Sequence, residues 1–134
     1  MSQQNLDLVR RGIGSVDAFW AMLDEYVLWD LRAWPTPDLD SVYVGRDAVI
    51  KASRHYWGTW DDYRVEAEEV LDAGPSVVVI IHEHGRGKGG GVPFDKRHPQ
   101  LWTFRGGRII RWDSFQSRAE ALEAAGLPEQ ALRT

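Results

Sequence analysis

The fold is decided by the stretch VVVIIHEH, which spans residues 77–84. Its five consecutive apolar residues leave no polar side, so the stretch predicts a strand that is covered by protein on both faces. Residues 63–68 alternate apolar and charged side chains, which is typical of a strand with one face in water. The turn Ala73-Gly74-Pro75 between the two segments predicts that they are successive strands of one sheet.

Two more strand segments follow toward the C-terminus. Residues 101–104 and 108–115 flank Gly106-Gly107, the centre of a tight turn, and together they predict a hairpin. Residues 85–91 are rich in glycine and residues 93–99 begin and end with proline, so this region predicts a long hairpin connection. The sequence GRGKGGG at 85–91 lacks the spacing of a phosphate-binding loop and the Ser or Thr that follows its lysine.

Helical periodicity precedes the strands and follows them. Ser15 is predicted to be the N-cap of the second helix, and Gly58 the C-cap of the third. Ser117-Arg118-Ala119-Glu120 is a capping box, which predicts the start of the last helix. A short strand is predicted at residues 27–29, ahead of a loop that contains two prolines. The predicted helices span residues 5–12, 15–26, 45–57 and 117–125.

This order of elements predicts an α+β fold. The N-terminal helices pack against one face of a curved antiparallel sheet, and this cone-shaped arrangement can leave a cavity at its open end. The chain has 134 residues, 43% of them hydrophobic, which is enough for one core and too little for two. We therefore predict a single domain over residues 1–134.

The composition narrows the range of partners. The formal net charge is -4 and no block of Lys or Arg stands out, which argues against nucleic acid and acidic membranes as partners. The chain has no cysteine, no apolar run of membrane-spanning length and no signal sequence, so a cytoplasmic location is predicted. We expect a small apolar molecule as ligand, and neither a cofactor nor a metal.

Aromatic residues are abundant, with seven tryptophans, four tyrosines and four phenylalanines. Each such ring can bury about 150–250 Å². Their number predicts either a very aromatic core or an aromatic-walled cavity, and the sequence leaves both interpretations open. The rings that we expect in a cavity wall are Trp29, Tyr56, Trp60, Trp102 and Trp112.

Four strings of sequence carry a family resemblance. They are VDAFW through YVLWD within 16–30, YVGRDAV at 43–49, WTFRGGRI at 102–109 and AEALEAAGL at 119–127. In these strings nearly the whole chain resembles the nuclear-transport-factor-2-like superfamily, and within it the branch of SnoaL-like polyketide cyclases and ketosteroid isomerases. The resemblance implies the cone-shaped α+β fold and a cofactor-independent enzyme that acts by proton transfer.

The resemblance also implies roles for individual residues. Asp30 corresponds to the general base of the isomerases, and Gln100 to a protonated acid of their oxyanion hole. His82 and His84 correspond to pocket-lining positions. Inward positions of the last strand correspond to Trp112, Ser114 and Gln116. Ser114 stands where the cyclases carry a catalytic aspartate, and the first helix has no tyrosine to match the isomerase oxyanion donor.

The chemistry of Asp30 depends on its surroundings. In an aromatic cavity the carboxylate would lose hydration, and its raised pKa would suit it to take a proton from a carbon next to a carbonyl. The alternative is an ion pair with Arg32 or Arg46 at the rim of the cone.

The two histidines at 82 and 84 share one face of their strand because they are two residues apart. We expect them to hold a substrate oxygen or to relay a proton beside Asp30. With one carboxylate they would also form a metal-binding triad, for which the sequence names no third ligand. A purely structural role, with hydrogen bonds to backbone or Gln100, is the third interpretation. His98 is predicted to be a solvated loop residue.

Alternation assigns a face to the remaining apolar residues. The buried face of the last strand is predicted to hold Ile110, Trp112, Ser114 and Gln116, whereas Asp113 points away. Trp102 and Phe104 join that face only through an odd-length loop or a bulge at Gly106-Gly107. The outer face is predicted to hold Val77, Val79, Ile81 and Phe115. A second copy of the chain is the simplest cover for it, so we predict a homodimer.

The sequence therefore predicts a SnoaL-like enzyme that transfers a proton on an apolar carbonyl or epoxide compound, with Asp30 as base and His82 and His84 beside it. The alternative is a non-catalytic module of the same fold that binds a small molecule or dimerises.

Overall fold

A computed structural model describes residues 2–36 and 38–128 of the chain. Within these residues it has four helices and six strands. The helices are α1 (Ser2–Gly14), α2 (Val16–Ala21), α3 (Arg46–Gly58) and α4 (Arg118–Ala125). The strands are β1 (Leu23–Asp30), β2 (Val42–Val44), β3 (Trp60–Ala73), β4 (Ser76–Gly87), β5 (Pro93–Arg105) and β6 (Arg108–Ser114).

The six strands form one sheet in the order β2-β1-β6-β5-β4-β3. Neighbouring strands are antiparallel except for β1 and β6, which run parallel. The register of β3 against β4 shifts twice, and such bulges bend a sheet. The predicted α+β fold, with N-terminal helices against a curved sheet, is confirmed. The extent of the domain over residues 1–134 stays a prediction.

The second helix is shorter than its periodicity predicts. Ser15 caps it as expected, accepting a hydrogen bond from the Ala18 backbone N–H, but the helix ends at Ala21. Leu23–Asp30 is a strand because it pairs with β2 on one side and β6 on the other. The apolar residues up to position 26 have helical spacing, but such a short run also fits a buried strand, and the pairing with β2 and β6 decides between the two.

The prediction of a loop over residues 93–99 is wrong, because this segment is the first half of β5. Pro93 opens the strand, where a missing N–H costs little. The Pro99 carbonyl accepts a hydrogen bond from the N–H of Phe115, the first residue after β6. The ladder of hydrogen bonds between β5 and β6 ends at this point, so the missing N–H of Pro99 leaves no gap within it.

The two faces of the sheet carry two separate cores. Val77, Val79 and Ile81 belong to the main core between the sheet and the helices. The alternate residues Val78 and Ile80 pack on the opposite face with α4, through Leu122 and its neighbours. The predicted outer position of Val77, Val79 and Ile81 is therefore wrong, and the chain itself covers part of the outer face.

A bulge next to the last turn sets the register of the hairpin. Gly106 and Gly107 both have positive φ angles, 58° and 80°, as a two-residue hairpin turn requires. Phe104 lies opposite Ile109, and a register shift at Thr103/Phe104 then brings Trp102 opposite Trp112. The predicted bulge at Gly106-Gly107 is therefore wrong, because the register shift lies further from the turn and places Ile109 rather than Ile110 fully in the main core.

Candidate active site

A cavity lies between the helices and the inner face of the sheet, and it encloses about 570 Å³ including the solvent at its open mouth. Nearly half of its lining residues are aromatic. The aromatic lining residues are Phe19, Trp29, Tyr56, Trp57, Tyr63, Trp102 and Trp112. Its polar lining residues are Glu83, His98 and Gln100. The aromatic side chains thus serve both as core and as cavity wall.

Ring packing makes one wall of the cavity rigid. Trp29 and Trp112 stack at 4.4 Å between ring centroids, with an angle of 8° between their planes. The Phe19 ring meets Trp112 edge-on at 4.7 Å and Trp102 at 5.0 Å. Contacts of this kind favour fixed ring positions, so this part of the wall has a defined, apolar surface.

Two ionisable side chains, Glu83 and His98, meet in this wall and both are buried. His98 Nδ1 lies 3.6 Å from Glu83 Oε2. The Tyr63 hydroxyl donates a 2.8 Å hydrogen bond to the other carboxylate oxygen, Glu83 Oε1. Among the described residues, Glu83 Oε2 and His98 Nε2 have no hydrogen-bond partner. Buried polar atoms normally have one, so these two atoms point to a role in binding or chemistry.

The imidazole of His98 is held from two sides. Trp34 stacks on its ring at 4.1 Å. Gln100 Oε1 accepts hydrogen bonds from the indole N–H groups of Trp102 and Trp112, at 2.8 Å and 3.0 Å. With its oxygen occupied, Gln100 turns its Nε2 amide toward His98 Nδ1, at 3.5 Å. The indole wall therefore orients the amide, and the amide faces the imidazole.

Two tyrosines near the pair stay protonated at ordinary pH. Burial, and then the charge of Glu83, raise the pKa of the Tyr56 phenol. Burial also raises the pKa of Tyr63, and its hydrogen bond to Glu83 acts in the same direction. Both phenols are therefore hydrogen-bond donors rather than bases.

Strand register explains why these residues meet. His98 on β5 lies directly opposite Ile81 on β4, and Glu83 is two residues further along the inner side of β4. The prediction of a solvated loop position for His98 is wrong, because its segment is a strand whose inner side also holds Gln100 and Trp102.

Asp30 is not among the residues that line the cavity. Both of its carboxylate oxygens accept hydrogen bonds from Arg32, the shortest at 2.7 Å, and Arg111 Nη2 lies 3.0 Å from Oδ2. The Arg32 guanidinium holds the pKa of this carboxyl below its usual value, and the charge of Arg111 adds to the effect. Asp30 is buried, but its predicted place in the cavity and its predicted raised pKa are wrong, and the alternative of an ion pair with Arg32 is confirmed.

His82 and His84 do share one face, as predicted, but it is the outer one. His82 Nε2 contacts Asp95 at 2.7 Å, and His84 Nε2 contacts Glu66 at 3.1 Å. The predicted grouping of the two imidazoles with Asp30 is not formed. The five-residue apolar run before them has no alternation, so nothing in it reveals which face of β4 is the inner one.

The other predicted site residues divide into two groups. Trp29, Tyr56, Gln100, Trp102 and Trp112 line the cavity. Ser114 is buried opposite Gln100, Trp60 packs on Phe94 at 4.2 Å outside the cavity, and Gln116 is exposed beyond the end of β6. Sequence reasoning missed Glu83, His98 and Tyr63 altogether as site residues.

Comparisons with known proteins agree with this architecture. The SnoaL-like domain matches residues 9–112 of the chain. No curated protein matches. No helix in the described residues is long and apolar enough to cross a membrane.

Solved structures with the same fold cover most of the chain. A candidate SnoaL-like polyketide cyclase from Jannaschia sp. CCS1 has a TM-score of 0.71 at 18% identity, covering 95% of this chain and 94% of its own. An NTF2-like protein from Burkholderia pseudomallei has a TM-score of 0.72 at 20% identity, covering 90% and 95%.

A third structure, from Catenulispora acidiphila, has a ketosteroid isomerase-like fold and was solved in complex with trimethylamine. Its TM-score is 0.65 at 18% identity, and the match covers 87% of this chain and 88% of that one. At these identities the structures show a shared fold. The domain match over residues 9–112 covers more than half of the chain, and the chain therefore belongs to the SnoaL-like family.

Proposed function

We propose that this SnoaL-like protein is a cofactor-independent enzyme that transfers a proton on a small apolar compound with a carbonyl or epoxide oxygen. The observation that carries the proposal is the buried pair of Glu83 and His98 in the aromatic wall, each with one polar atom that lacks a hydrogen-bond partner among the described residues. In a cavity of this kind, a carboxylate and an imidazole are suited to act as general base and general acid.

The two groups take different roles in this proposal. Glu83 accepts the proton through Oε2, while Tyr63 holds Oε1 and fixes the carboxylate plane. Gln100 donates toward His98 Nδ1, which leaves the imidazole hydrogen on Nε2. The Nε2–H group donates to the substrate oxygen and stabilises the negative charge that develops there.

Proton abstraction can be measured before the full reaction is known. The protein is incubated in D₂O with a panel of cyclic ketones, and deuterium uptake at the carbon next to the carbonyl is followed by NMR. We expect accelerated exchange with at least one member of the panel. Glu83→Gln, which keeps the side chain's size, is expected to lower the exchange rate by about 10² or more.

Asp30→Asn is the matched control, because it removes a second buried carboxylate that lies outside the cavity wall. It is expected to leave exchange unchanged. Exchange that survives Glu83→Gln but is lost in Asp30→Asn would return the role of base to Asp30, and would overturn the assignment to Glu83.

A second candidate function is binding of a small organic amine without chemistry. It is supported by the same buried carboxylate amid aromatic rings, since ring faces and a negative charge together attract ammonium groups. The structural relative that holds trimethylamine adds to this support. Titration of tryptophan fluorescence with tertiary amines and with matched neutral ketones separates the two functions. If the protein is an amine-binding module, we expect amines but not ketones to quench its tryptophan fluorescence. We expect Glu83→Gln to abolish this quenching.

Homodimerisation and a cytoplasmic location stay predictions. The outer face that we expect to pair is partly occupied by α4, which packs on Val78 and Ile80. Light scattering after size-exclusion chromatography tests the dimer, and a monomeric mass across a concentration series would contradict it.

A further inference from the structure

We propose that the outer face of the sheet holds a binding site for a divalent transition-metal ion, formed by Glu66, His82 and His84. One imidazole or carboxylate atom from each of these residues lies within 4.8 Å of those from the other two. The site is on the face opposite the cavity, so it is independent of the proposed proton transfer.

Strand pairing creates this cluster. Glu66 on β3 lies directly opposite His82 on β4, and His84 is on the same side two residues further along. The two imidazole ring centroids are 5.0 Å apart. All three positions lie in paired strand segments, Glu66 between the two bulges of β3, so the backbone sets the spacing of the ligands and side-chain rotation adjusts it.

The spacing is close to that of a metal site. Ligand atoms around a tetrahedral ion with bonds of about 2.1 Å are about 3.4 Å from one another. His84 Nε2 and Glu66 Oε1 are 3.1 Å apart and already meet this requirement. The side chains of both histidines are partly exposed, at 19% for His82 and 33% for His84, so rotation is sterically open and an ion can enter from solvent.

Asp95 lies beside the cluster and contacts one of its histidines. It lies on β5 opposite His84, and its Oδ1 is 2.7 Å from His82 Nε2. Arg97 also contacts Asp95, but Glu68 holds this guanidinium with two hydrogen bonds and balances its charge. The two imidazoles and the Glu66 carboxylate are then the three protein ligands of the ion, and water completes a tetrahedral set.

This donor set indicates the class of ion. Imidazole and carboxylate ligands without thiolate suit Zn²⁺, Ni²⁺ and Cu²⁺, whereas Mg²⁺ and Ca²⁺ prefer oxygen ligands alone. We therefore assign the site to a first-row transition metal, with Zn²⁺ as the probe.

The test is calorimetric titration of chelator-treated protein with ZnCl₂. We expect one ion per chain, and a loss of at least tenfold in affinity for His82→Ala, His84→Ala and Glu66→Gln. His55→Ala removes an exposed histidine on α3, outside the cluster, and is expected to bind as the parent does.

Circular dichroism is used to check that each variant is folded. Glu66→Gln keeps the size of an exposed side chain, so it changes the site without disturbing the core. The visible absorption of bound Co²⁺ gives a second readout of tetrahedral coordination. Absence of stoichiometric Zn²⁺ binding would overturn the proposal. So would an unchanged affinity in His84→Ala, or an equal loss in His55→Ala.

Discussion

Two buried carboxylates in this protein have nearly the same exposure and opposite surroundings. Asp30 is 8% exposed and Glu83 is 3% exposed. Asp30 is held by the guanidinium groups of Arg32 and Arg111. Glu83 has a phenol on one oxygen and an imidazole at 3.6 Å from the other.

The difference shows that burial alone does not identify a reactive carboxylate. A guanidinium stays charged at any ordinary pH, so it fixes Asp30 in its ionised form and occupies its oxygens. The imidazole of His98 lies 3.6 Å from Glu83 Oε2 and makes no hydrogen bond to it, so this oxygen stays open to a ligand. The partner, rather than the loss of water, separates Asp30 from the carboxylate that we propose as the base.

The largest effect that we predict is on the cavity pair. His98→Asn is expected to lower deuterium exchange by about 10² because it removes the donor to the substrate oxygen. The double variant Glu83→Gln with His98→Asn is expected to be little slower than the Glu83 variant alone, since the two groups act as one unit. The measurement is the deuterium exchange rate of the parent, the two single variants and the double variant, which together form a double-mutant cycle. Fully additive effects would show that the two residues act separately.

A second prediction concerns the polar support of that pair. Gln100→Leu leaves two buried indole N–H groups without an acceptor, and each such group costs about 1–3 kcal/mol. We expect the free energy of unfolding to fall by about 2 kcal/mol or more. Urea denaturation measures it.

Ser114→Ala is the control for this measurement. Ser114 is buried directly opposite Gln100, and its hydroxyl oxygen has no hydrogen-bond partner among the described residues. Its removal is expected to change stability by less than about 1 kcal/mol. An equal loss in both variants would mean that the cost arises from packing rather than from the unpaired indoles.

The sequence predicts the outline of the fold well because the signals for that outline are local. Ser15 and Ser117 cap their helices as expected, and Gly106-Gly107 forms the predicted turn. These features depend on residues within a few positions of one another. The start of β1 was not predictable in this way, since it depends on pairing with β2 and with β6, far along the chain.

The candidate site was harder to predict because it depends on which face of a strand points inward. In residues 77–81 both faces are apolar, so alternation assigns no side to His82, Glu83 or His84. One signal in the sequence does identify His98. It is two residues before Gln100 and four before Trp102, so a strand that includes residues 93–99 places all three side chains on the same side.

The smallest effect that we predict separates Asp30 from its neighbour Asp113 by pH. Arg32 lowers the pKa of Asp30, so this group stabilises the fold above its unfolded pKa of about 3.9, and the stabilisation is lost as pH falls through its folded pKa. Burial raises the pKa of Asp113, although Arg111 opposes this, so ionisation of Asp113 costs stability as pH rises. Asp30→Asn is expected to lower the unfolding free energy by about 1 kcal/mol at pH 7, and the deficit should shrink as pH falls below about 3.9. Asp113→Asn is expected to show the opposite trend, with its stability relative to the parent lowest in acid and improving toward neutral pH. Thermal melts of the parent and both variants from pH 3 to pH 7 test this. If the stability of both variants relative to the parent changes with pH in the same direction, the predicted difference between the two carboxylates is wrong.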